Sequence, residues 1–459
     1  MRRVSDIFAA LAFASILALI AWLFSLHGTR GLIHIERLFG VGLLLLAILG
    51  LIPLVLAAIR RYARTKATPS PRFSTPITVL SVICILISLF GFGFVGGFPP
   101  RSVGDTVPRI IMVAGTGSNG IPDVAVVAES ASEQRYSLSW GATKQDSVIQ
   151  ETNASKEHVF VLRDLDPATQ YHYRLNQGPQ YEFRTPDPSS GLRFAVGSDA
   201  HFDTPGSRND LTRLMLTQIA DPANRFDYFF SLGDNVEFGF RPEQWRMANE
   251  GLTRASSIVP STYAAGNHDT MFTGLNRYLD FAYPSATGVQ NGSRLWHRID
   301  VGNVHFLVLD IEWSAETFTK DQADWLESEL KSIPKDEWTI VMNHGFYYAS
   351  GSVTRGWKWY DNYETISRVT PLFEKYGVDL VFSGHAHQME LLQKSGVTYI
   401  IDGAFGGPPD SPREYTSPES IWYSSGNYGY VDVTVDDSSA TILFKNSSGT
   451  VLERAVVPK

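Results

Sequence analysis

Residues 264–271 read AAGNHDTM, and Asn267, His268 and Asp269 stand together directly after a small-residue strand end. Taken alone, Gly266-Asn267-His268-Asp269 is an acceptable turn, because Gly, Asn and Asp all tolerate the backbone angles that turns require. Its meaning depends on whether metal-ligand side chains recur at other strand ends. From residue 191 onward apolar strands alternate with helical stretches such as DQADWLESELKSI and TISRVTPLFEKYG, the mark of an α/β layer architecture. Seven strands are expected: LRFAVGSDAH, FDYFFSLGDN, STYAAGNHD, VHFLVLDIEW, WTIVMNHG, VDLVFSGHAH and VTYIIDGAFGG, and five of them end in a His, Asp or Asn cluster. In α/β folds the loops after the strands gather on one edge of the sheet, so these clusters can converge although they lie far apart in sequence.

The ordered set is Asp199 and His201, Asp234, Asn267 and His268, His344, and His385 and His387. Carboxylate, imidazole and amide oxygen suit divalent first-row metals, and seven such ligands exceed one tetrahedral site. Two adjacent cations are therefore expected. His305, inside NVHFLVLD, reads as a packing residue, and His158, His172 and His297 have no companions.

The blocks D-x-H, G-D, G-N-H-D, N-H and G-H-x-H, in that order over about residues 192–435, resemble the calcineurin-like metallophosphoesterase superfamily. The resemblance implies a β-sandwich flanked by helices. It assigns Asp199, His201 and His387 to one metal and Asn267, His344 and His385 to the other, with Asp234 as the bridge. It leaves His268 over the substrate with Asp269 as its orienting partner. NHGFYYAS and TKDQADWLESEL are similar to segments of the purple acid phosphatases. That branch carries a Tyr three residues after the bridging Asp and lacks the first-block His. Here Glu237 and His201 occupy those positions, so neither a tyrosinate-to-iron colour nor an obligatory ferric ion is implied.

The expected activity is phosphomonoester hydrolysis with two divalent ions (Mn, Fe or Zn), a shared water as nucleophile and His268 assisting the leaving group. A phosphodiesterase or pyrophosphate-bond hydrolase uses the same metal pair, and a non-catalytic cell-surface binding protein is the reading from another class. Tyr347, Tyr348, Trp357 and Trp359 either wall the pocket or cover the sheet edge, and Arg355 is a possible phosphate contact. Gly403, Gly406 and Gly407 read as an ordinary turn beside the site.

The rest of the chain sets the organisation. Residues 105–186 show short alternating strands, and LRDLDPATQYHYRL resembles a fibronectin type III turn into a tyrosine corner at Tyr171, so an all-β sandwich is expected before a catalytic domain at 191–459. Residues 1–99 hold three apolar runs, about 6–26, 38–59 and 76–98, each near the roughly 20 residues that cross a bilayer as helix. The basic loop with Arg60, Arg61, Arg64, Lys66 and Arg72 reads as cytoplasmic, which places everything after the third run on the outer side of the membrane. Expectation is therefore a multi-pass membrane protein with an extracytoplasmic catalytic domain. A formal charge of -8 argues against nucleic acid as a partner, and the single cysteine, Cys84, excludes disulfides and thiolate metal sites.

Overall fold

The computed structural model describes residues 16, 19, 39–52, 55, 75–94, 103–115, 117–142, 147–288, 292–354 and 357–459. The chain divides into two compact units, Met1–Pro100 with Met271–Thr273, and Arg101–Thr270 with Gly274–Lys459. In the first, residues 39–52 and Thr75–Phe94 are helical, and the Ser88 hydroxyl donates to the Leu43 carbonyl at 3.0 Å. Among the described residues no helix is long and apolar enough to cross a membrane. The expected three transmembrane helices, the bilayer as partner and the multi-pass, extracytoplasmic localisation are corrected accordingly. A crossing needs length and apolarity in one helix. Of the 6–26 run only Ile16 and Leu19 are described, and the basic loop lies outside the described residues.

The second unit is built on two large sheets. One has nine strands in the order Val451–Pro458, Ser439–Asn446, Gly429–Val435, Leu192–Gly197, Tyr228–Ser231, Ser261–Tyr263, Arg109–Met112, Val124–Gln134 and Ser155–Leu162. The other has seven, in the order His297–Val301, Val304–Val308, Trp338–Met342, Leu380–Ser383, Val397–Asp402, Met389–Lys394 and Ser420–Ser424. Leu192–Gly197, Tyr228–Ser231 and Ser261–Tyr263 run parallel, as do Val304–Val308, Trp338–Met342, Leu380–Ser383 and Val397–Asp402.

The period of two in these strands explains the layers, because successive side chains point to opposite faces. Phe194, Val196, Phe230, Phe306, Val308, Ile340, Met342 and Phe382 share one core between the sheets. Their neighbours Ala195 and Phe229 face outward, where Met215, Leu216, Trp245 and Leu252 from helices Asn209–Ala220 and Pro242–Ser256 cover them. On the other side Leu307, Val341 and Val381 meet Leu326, Leu330, Val369 and Phe373 of helices Lys320–Ser332 and Tyr363–Tyr376. Strands buried on both faces read as continuous apolar runs, which is how they stood in the sequence.

Of the region expected as a β-sandwich, Arg109–Met112, Val124–Gln134 and Ser155–Leu162 extend the nine-stranded sheet. Four others, Ser147–Gln150, Ser137–Gly141, Gln170–Leu175 and Gln180–Arg184, form a separate four-stranded sheet. The junction is the parallel pairing of Ile111 with Ser261. It is reinforced by buried Arg109, whose guanidinium donates to Asn249 Oδ1 at 2.9 Å and to the Phe281 carbonyl at 2.7 Å. The Tyr171 hydroxyl accepts the Asp166 N–H at 2.9 Å.

Asp227, just before Tyr228–Ser231, exchanges two bonds with Arg193: its N–H donates to the Arg193 carbonyl and its carboxylate accepts the Arg193 N–H, each at 2.8 Å. Burial pushes this carboxyl up to about 6. The folded value lies above the unfolded one, so the contribution is fully present below about pH 4 and lost as pH rises through about 6. Asp227→Asn is expected to stabilise the protein by about 1 kcal/mol at pH 8 and by nothing at pH 4. Thermal melts at the two pH values check this; an equal gain at both would rule out the charge as its cause.

Candidate metal centre

The carboxyl ends of the parallel strands bring all seven expected ligands to one place. Asp199, His201 and His387 offer ligand atoms within 4.8 Å of one another, and so do Asp234, His344 and His385. Asn267 joins the second group, with Oδ1 3.2 Å from His344 Nε2. Asp234 stands between them, its Oδ2 3.3 Å from His344 Nε2 and 3.7 Å from His201 Nε2.

The donor set fits two cations. Nitrogens face nitrogens, His201 Nε2 to His387 Nε2 at 3.2 Å and His344 Nε2 to His385 Nδ1 at 3.1 Å. Two ligands about 2.1 Å from one ion stand roughly 3.0–3.4 Å apart. Asp199 Oδ1 is a buried carboxylate oxygen without a hydrogen-bond partner, which a buried polar atom seldom is. Two imidazoles are held by their far nitrogen, His344 Nδ1 on the Leu232 carbonyl at 2.8 Å and His387 Nδ1 on the Pro408 carbonyl at 2.6 Å, and His201 Nδ1 makes an ion-pair contact with Glu237 Oε2 at 2.9 Å. A carbonyl only accepts, so Nδ1 carries the proton in His344 and His387 and Nε2 is left to bind metal.

Each carboxylate divides its oxygens. Asp199 Oδ2 accepts the His385 N–H and Asp234 Oδ1 accepts the His268 N–H, both at 2.8 Å, leaving the other oxygen to the imidazoles. The backbone is bent to allow this: φ is +64° at Asp199, +43° at His201, +48° at Asp234 and +67° at His385. Such residues each cost about 1–3 kcal/mol and cluster at functional sites. Close approach adds a second constraint. A Cβ on Gly266 would stand 2.1 Å from the Asp234 nitrogen, and one on Gly407 would stand 2.8 Å from carbons of both His201 and His387. Gly407 is thus more than the ordinary turn residue its sequence suggested.

Electrostatics follow from the packing. Burial would raise Asp199, yet the charge of His344 and the nearby imidazoles of His201 and His387 hold it well below the usual carboxylate range. Burial would lower His344, but Asp234 and Asp199 bring it up to about 9, whereas burial and the His344 charge push His385 down to about 3. In the metal-free protein, protons compete for the places of cations, so metal loading releases protons.

His268 stands outside these two groups, and its ligand nitrogen lies within 4.8 Å of the ligand atoms of His201 and Glu237 in a third. Its Nδ1 donates to the Glu237 carbonyl at 2.8 Å, and its side chain keeps 24% exposure where that of His344 has none. Asp269, expected as its orienting partner, turns away: its carboxylate accepts from Asn235 Nδ2 at 3.1 Å and the Val236 N–H at 3.2 Å. Burial and Asp234 push it up to about 8. The partner that sequence reasoning missed is Glu237, which holds His201 by its carboxylate and His268 by its carbonyl.

The aromatic residues divide. Tyr347 and Tyr348 are buried in the core against Tyr399, so they wall no pocket. Trp359 lies with its ring 4.7 Å from His385, and Trp313, unassigned from sequence although it ends one of the seven strands, lies 4.8 Å from it. Arg355 and the Trp357 side chain lie outside the described residues.

Glu237→Ala removes the acceptor that orients His201 and is expected to weaken Mn²⁺ binding about 10- to 100-fold, with Glu237→Gln retaining most of it. Calorimetric titration of metal-stripped protein reads this, and an unchanged affinity in the Ala variant would show that the bond carries no weight.

Residues 192–389 match the family model for calcineurin-like phosphoesterases. Purple acid phosphatase 18 of Arabidopsis thaliana is 23% identical over 375 residues, covering 74% of this chain and 82% of its own. A probable inactive purple acid phosphatase 1 of the same plant is 25% identical over 365 residues, covering 66% and 57%. Among solved structures, a purple acid phosphatase from yellow lupin (Lupinus luteus) seeds superposes with a TM-score of 0.64 at 18% identity, over 77% of this chain and 74% of that one. The fold is shared. Residues 192–389 carry the calcineurin-like phosphoesterase signature, and the chain is a dinuclear metallophosphoesterase similar to the purple acid phosphatases.

Proposed function

We propose that the protein is a phosphomonoesterase in which Asp199, His201 and His387 hold one divalent ion, Asn267, His344 and His385 hold the other, Asp234 bridges them, and His268 serves the leaving oxygen. The observation that carries this reading is a convergence: Asp199, His201 and His387, and likewise Asp234, His344 and His385, offer ligand atoms within 4.8 Å of one another, and His268 stands beside them with Nδ1 on the Glu237 carbonyl. The monoester preference rests on the acid phosphatase names of the relatives.

When bound, the two cations supply positive charge to the phosphoryl oxygens and acidify the attacking water. The chain's own groups do the rest. Asp234 Oδ2, buried between the imidazoles of His201 and His344, keeps the two halves of the site at a fixed spacing. His268 has Nδ1 committed to the Glu237 carbonyl, so Nε2 is the atom that meets substrate. It gives a proton to the leaving oxygen, or sets positive charge against it, as the ester bond breaks. The His268 N–H on Asp234 Oδ1 ties the position of this imidazole to the bridge itself.

The full-length protein, stripped of metal and resupplied with Mn²⁺, Fe²⁺ or Zn²⁺, is expected to release p-nitrophenol from the monoester faster than from the bis-ester. His268→Ala keeps its metal by elemental analysis and loses about 10²- to 10⁴-fold in rate. Asp234→Asn loses both metal and rate. Equal metal loss in the two variants would overturn the assigned roles, and faster turnover of the bis-ester would make the enzyme a diesterase.

A further inference from the structure

Resting on the phosphomonoesterase reading, we propose that Trp313 and Trp359 form the subsite for the alcohol half of the ester, and that this half is a flat aromatic ring, a phosphorylated phenol. The two indoles lie 5.3 Å apart at 75° and form the two sides of a corner. Trp313 is 4.8 Å from His385 at 67°, and Trp359 is 4.7 Å from it at 45°. The corner thus stands on the imidazole of His385, one of the residues proposed to hold the second ion. A flat ring entering it stacks on one indole and presents its edge to the other, the two arrangements that aromatic pairs prefer.

Exposure separates these two rings from the aromatics around them. Phe346, Tyr347 and Tyr348 are buried, whereas both indoles are only half-buried. Half-exposed indole surface beside a polar metal centre is a cost without a ligand and a gain with one.

The wall is also held in place before anything binds. Trp359 Nε1 donates to Asp410 Oδ2 at 2.8 Å, and the same oxygen accepts the His387 N–H at 2.7 Å, so the indole and a second metal ligand share one anchor. The segment that carries Trp359 is clamped at both ends by buried carboxylates. Glu390 accepts the Ser350 N–H at 2.9 Å and the Ser350 hydroxyl at 2.6 Å. Asp361 accepts the Ala349 N–H at 3.0 Å and the Ser417 hydroxyl at 2.9 Å. An indole anchored in this way is partly preorganised, which is how a subsite turns contact into affinity.

Phenylphosphonate and methylphosphonate separate ring recognition from leaving-group chemistry, because neither has an ester bond to break. Used as inhibitors of the full-length metal-loaded enzyme, they are expected to differ about tenfold in inhibition constant in favour of the phenyl compound. In Trp359→Leu and Trp313→Leu that ratio falls to about one, and Trp359→Phe restores part of it. A ratio of one in the wild type, or parallel weakening of both inhibitors with the ratio kept, would overturn the subsite and leave the indoles as packing around His385. Parallel assays with phenyl phosphate and a tyrosine-phosphorylated peptide tell a free phenol from a protein side chain, and Trp-dependent turnover of either supports the wall. Should the wild type hydrolyse no monoester, glycerol phosphate included, the monoesterase reading fails and the subsite fails with it.

Discussion

The site depends on the aromatic contact that locks the two sheets face to face. Phe194 and Phe230 of the nine-stranded sheet meet Phe306 of the seven-stranded sheet at 5.3 and 4.7 Å, and Phe194 meets Phe382 at 5.9 Å. These rings lie one strand-length beneath the edge where the ligands emerge. A slip of one residue in any of these strands would turn its core residues outward, so burial on both faces fixes the register strongly. That is what lets His201 and His387, 186 residues apart in sequence, stand 3.2 Å apart in space.

Burial energy sets the strands, but the last few ångströms are set by hydrogen bonds to strained backbone. The turns that carry Asp199, His201 and Asp234 are cross-braced: the Asp199 N–H donates to the Gly233 carbonyl and the His201 N–H to the Asp234 carbonyl, each at 3.0 Å. With His385 and His268 donating to the two aspartates, four of the blocks are joined before any cation arrives. The positive φ values are sustained because the alternative conformations would leave these groups unpaired in a buried place. Rigidity of this kind matters for a metal pair, since ligand spacing decides which geometries the site can accept.

Much of this was legible in the sequence, and the rest was hidden for definable reasons. Ligand residues follow strands, and strands show as apolar runs, so Asp199, His201, Asp234, Asn267, His344, His385 and His387 could be picked by position and chemical type. What supports them could not. The family resemblance paired Asp269 with His268, yet neighbouring side chains in a turn diverge, and the imidazole donates to the Glu237 carbonyl instead. No side-chain pattern announces a carbonyl. Tyr347 and Tyr348 could from sequence either wall the pocket or cover the sheet edge, and the chain there turns into the core. The apolar runs of residues 1–99 were read by composition, whereas crossing a membrane also requires one sufficiently long apolar helix, and none is found among the described residues.

Glu237 and His201 gain meaning as a pair. From sequence they were two separate departures from the purple pattern, an acid in place of a tyrosine and an extra histidine. In space they are one substitution, because the acid bonds the histidine at 2.9 Å. The carboxylate, pulled below its usual range by its bond to His201 and the nearby His268 although burial opposes this, makes His201 a more basic ligand. A neutral, carboxylate-backed imidazole brings less negative charge to a metal than a phenolate would, and so favours a divalent ion over a trivalent one. The same residue's carbonyl accepts from His268, so the surroundings of His201 on one side and the orientation of His268 on the other are set by a single position. A change at Glu237 therefore cannot tune one without disturbing the other, which makes this position a stronger constraint on the chemistry than its half-exposed place in a loop suggested.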